Sequence, residues 1–235
     1  NAGSAGVPVT LTYDTKAPTL TISSDRSSLG GGETATISIT ASEAIVGFVA
    51  SDVSVSGGGS LSNFSGSGSS YSARYTPPVN NAGGTATITV AGTSYGDVSG
   101  NSGTSASLTG LRFDTQVPTI SKITASGTGI SGGSGRLKAG GSVTLTLNTS
   151  EVVTVGGGST PRLTLSNGAT ASYVSGSGTQ ALVFGYTVAA TDNNTSDLAV
   201  SGVSVNGATV RDGAGNDLTL TLSGGVGNPA GTLVI

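Results

Sequence analysis

The acidic side chains of this chain are few, and half of them recur at matching places in two parts of the sequence. Asp and Glu together make up only 12 of the 235 residues. The recurring places are an Asp-Thr step before a proline, a Ser-Glu step, and the first residue of an Asp-x-x-Gly-Asn stretch. They hold Asp14, Glu43 and Asp97 in the first part and Asp114, Glu151 and Asp212 in the second. In a chain so poor in charge, this placement predicts a shared chemical role.

Carboxylates that meet at one point favour the binding of a hard cation. They repel one another unless a cation neutralises them, and oxygen ligands without His or Cys select Ca²⁺ or Mg²⁺. The chain has neither His nor Cys, and sites built from flexible loops favour Ca²⁺. We therefore predict that these six carboxylates are metal ligands and that the cofactor is Ca²⁺. Asn101 and Asn216 are further candidates, either as carbonyl-oxygen ligands or as turn formers.

The same motifs also have a purely structural interpretation. In Asp-x-x-Gly-Asn the Asp can accept local backbone hydrogen bonds and the Gly can take a positive φ, as turns require. Asp-Thr-x-x-Pro can be a stiff, extended linker. The recurrence of all three motifs favours the metal. Asp52, Asp192, Asp197 and Asp217 have no counterpart in the other part, so we interpret them as turn residues, with Asp192 and Asp197 as candidates for a separate weak site.

The residue types that are missing exclude several kinds of chemistry. Without Cys there is no disulfide, no thiolate nucleophile and no cysteine zinc site. Without His the commonest general base is also missing, and we predict that the chain is not an enzyme. The net charge of −3 is small, so we expect neither nucleic acid nor an anionic membrane as a partner. No apolar run approaches the ~18 residues of a membrane span.

The elements that must position the carboxylates are strands. Four runs alternate apolar residues with Thr or Ser, which is the pattern of a strand with one buried and one wet face. Their apolar members are Ala35, Ile37 and Ile39; Ala86, Ile88 and Val90; Val143, Leu145 and Leu147; and Leu218, Leu220 and Leu222. Gly- and Asn-rich stretches separate the runs. Among them, Asn167-Gly168 and Asn206-Gly207 predict hairpin turns.

A long repeat organises these strands into domains. Residues 13–19 return as residues 113–119, and a period of this length suits one β-sandwich per repeat. We predict an all-β chain of two tandem immunoglobulin-like antiparallel β-sandwiches, covering residues 14–113 and, in a longer variant, 114–235. Residues 1–13 match the end of the first repeat, so we interpret them as the last strand of a preceding domain. The alternative is a tail that adds to a sheet edge of another molecule.

The predicted fold explains why the acids would meet. In an immunoglobulin-like sandwich the chain enters at the end that also carries the B–C and F–G loops. The Ser-Glu step falls where a B–C loop is expected, and Asp-x-x-Gly-Asn falls where an F–G loop is expected. The Asp of the Asp-Thr step would join them there. A calcium ion at this end would tie each linker to the domain that follows it.

Several stretches resemble the bacterial Ig-like repeats of large type I secreted, RTX-type adhesins and related cell-surface proteins. The stretches are residues 14–19, 32–37, 42–44, 61–64 and 97–101, and, resembling a longer sister type, residues 169–173, 206–210 and 212–216. The resemblance implies an extracellular, cell-surface location, a stalk role in adhesion and biofilms, and calcium at domain junctions. Neighbouring repeats of the same protein are the expected partners. Two alternatives remain open: a module that binds a glycan, a protein, or a host or abiotic surface, and a filament or surface-layer subunit linked by strand donation from residues 1–13.

Overall fold

The structure is a computed structural model that describes residues 13–229 and 231–235. The chain divides into two compact units, Asn1–Asp114 and Thr115–Ile235. The predicted strand of a preceding domain lies, apart from the exposed Tyr13, outside the described residues. No helix among the described residues is long and apolar enough to cross a membrane. The prediction of an all-β chain is confirmed, since the described helices are two short 3₁₀ turns, Ala50–Asp52 and Gly92–Ser94.

The first unit is a sandwich of two four-stranded sheets. In spatial order, and numbered along the chain, the first sheet contains β1 (Leu20–Ser24), β3 (Ala35–Ala41), β7 (Ser70–Thr76) and β6 (Ser60–Ser67). The second contains β2 (Ser28–Leu29), β10 (Ala106–Phe113), β8 (Gly84–Val90) and β5 (Val53–Ser56). A separate short pair is formed by β4 (Ile45–Val46) and β9 (Gly96–Asp97). All of these pairings are antiparallel except that of β2 with β10.

The predicted alternation produces the core of this sandwich. Every second residue of β3, from Ala35 to Ala41, is buried, and the Thr and Ser residues between them are exposed. On the opposite sheet, Ala86, Ile88 and Val90 of β8 are completely buried. Both strands contribute to one apolar cluster, which holds the two sheets together. Most aromatic rings also lie in the cores, with Phe48 in edge contact with Phe64, Tyr71 and Tyr95.

The second unit is built around the longest strand. Its main sheet runs in the order β11 (Ile120–Ser126), β13 (Ser142–Gly156), β16 (Thr179–Thr187), β15 (Thr170–Ser175), β14 (Arg162–Leu165) and β17 (Val200–Ser204). The first half of β13 pairs with β11 and β16, and its last residues pair with β18 (Thr209–Arg211). A short parallel pair joins β12 (Gly135–Arg136) to β19 (Leu233–Val234). One continuous apolar cluster fills this unit.

Two predictions about the second unit are wrong in detail. The run from Leu218 to Leu222 is not a strand, although Leu218 is buried. Leu218 N donates to Val210 O (2.8 Å) and Thr219 N donates to Pro118 O (2.9 Å), so neighbouring amides bind different segments and no ladder forms. The Asn206-Gly207 turn joins β17 to β18, which pair with different strands, so it is not a hairpin. The Asn167-Gly168 turn does join the paired strands β14 and β15.

Candidate metal sites

A short strand pair brings two acidic loops together at one end of the first unit. The β4 strand lies in the connection from β3 to β5, two residues after Glu43, and pairs with β9, which ends at Asp97. Ile45 stands opposite Asp97 in this pair. Carboxylate oxygens of Asp14, Glu43 and Asp97 lie within 4.8 Å of one another. These three residues, here called the first cluster, are the acids that the sequence predicts to meet.

Backbone contacts hold the entering segment, residues 14–19, against both loops. Thr19 N donates to Ser42 Oγ (3.0 Å), and Ser42 N donates to Thr19 O (2.9 Å). On the other loop, Thr104 N donates to Pro18 O (3.1 Å). These hydrogen bonds hold the entering segment in place beside the two loops of the first cluster. The role of Ser42 was missed in the sequence, although a Ser precedes Glu in both repeats.

Asp97 is the buried member of the first cluster, with 3% of its surface exposed. Its Oδ1 accepts hydrogen bonds from Ser99 N (2.9 Å) and Asn101 N (2.8 Å), and its Oδ2 accepts one from Asn101 Nδ2 (2.7 Å). These bonds, led by the one from the Asn101 side chain, hold the pKa of Asp97 below its ordinary value, although burial opposes them. A carboxylate has roughly four acceptor positions. The arrangement therefore leaves Oδ2 able to take one further ligand.

Asn101 connects the entering segment to the loop through its side-chain nitrogen. Its Nδ2 donates to Asp97 Oδ2 and also to the backbone oxygen of Asp14 (3.0 Å). An amide nitrogen that donates hydrogen bonds does not coordinate a cation. These contacts correspond to the turn-forming alternative, and coordination through the amide oxygen of Asn101 remains a prediction.

The second unit repeats the loop geometry of the first. Asp212 Oδ1 accepts hydrogen bonds from Ala214 N (2.8 Å) and Asn216 N (2.9 Å). Asn216 Nδ2 donates to Asp212 Oδ2 (2.7 Å) and to Gln116 O (3.1 Å). Asp212 and Asn216 are 7% and 6% exposed. The Asp-x-x-Gly-Asn loop is therefore built in the same way in both units, whereas its Asn side chain reaches the backbone oxygen of Asp14 in the first unit and that of Gln116, two positions further along the repeat, in the second.

The remaining contacts also have their counterparts in the second unit. Thr119 N donates to Ser150 Oγ (3.0 Å), and Ser150 N donates to Thr119 O (2.9 Å). Carboxylate oxygens of Asp114, Glu151 and Asp212, here called the second cluster, lie within 4.8 Å of one another. Ser150 thus binds the second entering segment, residues 114–119, beside Glu151, as Ser42 binds the first entering segment beside Glu43. The extra length of the second repeat does not disturb this part of the fold.

Two of the acids without a counterpart, Asp192 and Asp197, lie in hydrogen-bonded loops. Asp192 Oδ2 accepts bonds from Tyr186 Oη (2.6 Å) and Ala189 N (2.7 Å), and the pKa of Asp192 is lowered, chiefly by the Tyr186 bond. Asp197 Oδ2 accepts a bond from Asn228 Nδ2 (3.0 Å). Within residues 13–229 and 231–235, the two clusters are the only groups of three or more acids close enough to share an ion. The structure therefore does not bring Asp192 and Asp197 together into a third group.

Antiparallel sheets packed as sandwiches, with the entering segment and two loops meeting at one end, define the immunoglobulin-like class of β-sandwich proteins. Within that class, residues 14–111 match the family of bacterial Ig-like domains. This match covers most of the first unit and less than half of the chain. Domains of this family are typically non-enzymatic and point to a structural or surface module. No curated protein is significantly similar to the chain.

Proposed function

We propose that the chain is a structural, non-enzymatic stalk or extender segment of a bacterial cell-surface adhesin, stiffened by Ca²⁺ at its domain junctions. The observation that carries the proposal is the convergence of three carboxylates, from the entering segment and two loops, which occurs at matching places in both repeats. Its partners are neighbouring Ig-like repeats of the same protein, and it acts outside the cell. The match of residues 14–111 to bacterial Ig-like domains supports the location and the structural role.

The charge of the first cluster supports a cation as the ligand. None of its three acids belongs to an ion pair in the described part of the chain, where the pairs are Arg26–Glu33 and Arg211–Asp217. Asp97 is buried and its pKa is lowered, so it carries its charge at neutral pH. A donor set made only of oxygen, on loops that can adjust, suits Ca²⁺ better than the smaller and geometrically stricter Mg²⁺.

Ion binding would stiffen the stalk because the ligands come from separate segments. An ion on Asp14, Glu43 and Asp97 joins the entering segment to the two loops of the domain that follows this segment. An ion that binds only the folded form stabilises it by about 2.7 kcal/mol at a concentration 100 times its Kd. The entering segment then moves together with the domain that follows it, so the domain junction at this segment becomes less flexible.

Calorimetric titration of the whole chain with CaCl₂ tests the metal sites. We expect one ion per cluster, with Glu43→Gln removing the first and Glu151→Gln removing the second. Asp25→Asn is the matched control, because it removes one acid outside both clusters while its oxygen can still accept the Thr36 N–H. Binding that survives both Gln substitutions, or that Asp25→Asn weakens equally, would contradict the assignment.

Small-angle X-ray scattering tests the stalk role separately. We expect Ca²⁺ to narrow the distribution of distances between the two units, and a chelator to broaden it. The double variant Glu43→Gln/Glu151→Gln should resemble the chelated wild type under both conditions. Calcium binding without any change in that distribution would retain the metal sites and reject the stiffening.

The two alternative functions depend on features with less support in this chain. A glycan-binding module would be favoured by exposed aromatic rings. Among the described residues, however, Tyr13 is the one aromatic side chain classed as exposed, at 90%. Linkage by strand donation depends on residues 1–13, of which only Tyr13 is described. A purified chain that is monomeric in light scattering would count against that linkage.

A further inference from the structure

The two Asn-Gly dipeptides of the chain occupy different positions in their turns. In the first, the hydrogen bond from Gly168 N to Leu165 O (3.0 Å) closes the turn, so Gly168 is its fourth residue. In the second, Ala208 N donates to Val205 O (2.8 Å), so the dipeptide itself forms the two central residues. The φ values of these central residues, 51° and 82°, are those of a type I′ turn. The same dipeptide therefore presents its glycine N–H in two different ways.

The position in the turn decides whether the glycine nitrogen is available for reaction. The N–H of Gly168 is engaged in the bond that closes its turn, whereas the N–H of Gly207 makes no hydrogen bond to any described residue. The Asn side chains that precede the two glycines also differ in burial and in hydrogen bonding. Asn167 is buried, and its Nδ2 donates to Tyr186 Oη (3.0 Å). Asn206 is exposed, and its Nδ2 donates to Thr160 O (3.2 Å).

We propose that Asn206 is a site of spontaneous deamidation and that the fold protects Asn167. The backbone nitrogen of Gly207 gives up its proton to base and attacks Cγ of Asn206. The Cγ–Nδ2 bond breaks, ammonia leaves with a proton, and a five-membered succinimide forms. Water then opens the ring at either carbonyl and yields aspartate or isoaspartate. The net reaction consumes one water and releases one ammonia, and glycine favours it because no Cβ hinders the attack.

Deamidation at this turn has a structural consequence. The amide group that donates to Thr160 O becomes a carboxylate, which would place an acceptor against an acceptor. The isoaspartate product also adds a carbon to the backbone between β17 and β18. The aged protein should therefore lose the contact between this turn and the segment before β14, and it should melt at a lower temperature than fresh protein.

Incubation of the whole chain at mildly alkaline pH, followed by peptide mapping with mass spectrometry and isoaspartyl methylation, tests the proposal. We expect the Asn206 peptide to convert faster than the Asn167 peptide by about tenfold or more, because Asn167 must first open locally. In urea, where both turns are lost, the two peptides should convert at similar rates. That second arm shows that the dipeptides are chemically equivalent.

The variant Asn206→Gln provides the control, since its longer side chain forms the cyclic intermediate far less readily. It should keep its melting temperature through the same incubation, while the wild type loses some of it. Faster conversion of Asn167 in the folded protein, or equal conversion of the two sites, would overturn the proposal. So would an intact Asn206 after a period in which the unfolded chain converts at both sites.

Discussion

At the scale of single residues, Tyr95 holds the entering segment and the loop of the first cluster together. Its hydroxyl donates to Thr104 O (2.7 Å) and lies 3.4 Å from Pro18 O. The ring packs closely against Gly103, where an added Cβ would stand 2.1 Å from Cζ. The φ of Gly103 is not positive, so glycine is required here for the space that it leaves for the Tyr95 ring and not for its backbone conformation.

Gly103→Ala should destabilise the first unit by about 2 kcal/mol, the usual cost of overpacking a filled site. The added methyl displaces the Tyr95 ring and weakens its hold on residues 18 and 104. Urea unfolding of the whole chain measures the effect. Gly158→Ala is the matched control, because a Cβ there meets nothing within 4 Å. Equal unfolding curves for the two variants would show that the ring is not held in this way.

A second network, in the second unit, carries a charge that depends on pH. Tyr186 is buried, which raises its pKa, and the bond to Asp192 raises it further. The pKa of Asp192 is lowered, mainly by the bond from Tyr186. A lowered carboxyl pKa contributes stability above the ordinary pKa, and this contribution is lost as the pH falls through the lowered value. Asp192 therefore stabilises the second unit at neutral pH and not in acid.

Asp192→Asn should be less stable than the wild type at neutral pH, and the difference should shrink as the pH falls below about 4. The other carboxylates titrate in both proteins, so their effects cancel in the difference. Urea midpoints measured across the acid range give the result. A difference that stays constant down to strong acid would mean that shape, not charge, explains the effect of the substitution.

At the scale of elements, hydrogen bonds within the protein join the entering segment and two loops of each unit into one assembly. The bridges from Asn101 to Asp14 O and from Asn216 to Gln116 O show this most clearly. Each Asn side chain donates one hydrogen bond to the carboxylate of an Asp and another to a backbone oxygen, which holds these two oxygens close together. A cation that bound here would find its ligand segments already in place, which would lower the entropic cost of binding.

Asn101→Asp should make the first unit dependent on calcium. The new carboxylate would face Asp97 Oδ2 and Asp14 O in place of a donor, so without metal the melting temperature should fall by roughly 5 °C. Added Ca²⁺ should restore more of this loss than Mg²⁺. Asn194→Asp adds the same charge at an exposed position and should melt like the wild type. A metal-free melt unchanged in Asn101→Asp would show that the bridge contributes nothing.

The sequence predicted the long elements better than the short ones, for a physical reason. The burial pattern of β3 follows directly from its alternation of apolar residues with Thr and Ser. The pair of β4 and β9 has only two residues per strand, too few to show a period, yet it brings Glu43 beside Asp97. The run at Leu218–Leu222 has the alternation of a strand and is not one. The alternation correctly predicts that Leu218 is buried, but the backbone amides of the run bind separate segments. Periodicity reports which face is buried and not which partner a backbone finds.

At the scale of the whole molecule, the chain has little charge with which to stabilise itself. Only 9% of its residues are charged, and the two described ion pairs are solvent-exposed, so solvent screening leaves each with little effect on stability. The chain also lacks the disulfides that often strengthen small exported domains. Stability therefore comes from the two apolar cores and their ladders. The entry end of each unit is the place where a bound ion would add most.

Calorimetric melting of the whole chain in Ca²⁺ and in chelator tests the central claim most directly. At Ca²⁺ about 100 times above the Kd, each occupied cluster should add about 2.7 kcal/mol, so the wild type should melt several degrees higher than in chelator. Glu43→Gln/Glu151→Gln should lose this shift, and Asp25→Asn should keep it. Coincident wild-type melts in Ca²⁺ and in chelator would contradict the account, because carboxylates that hold a cation cannot leave stability unchanged when it is removed.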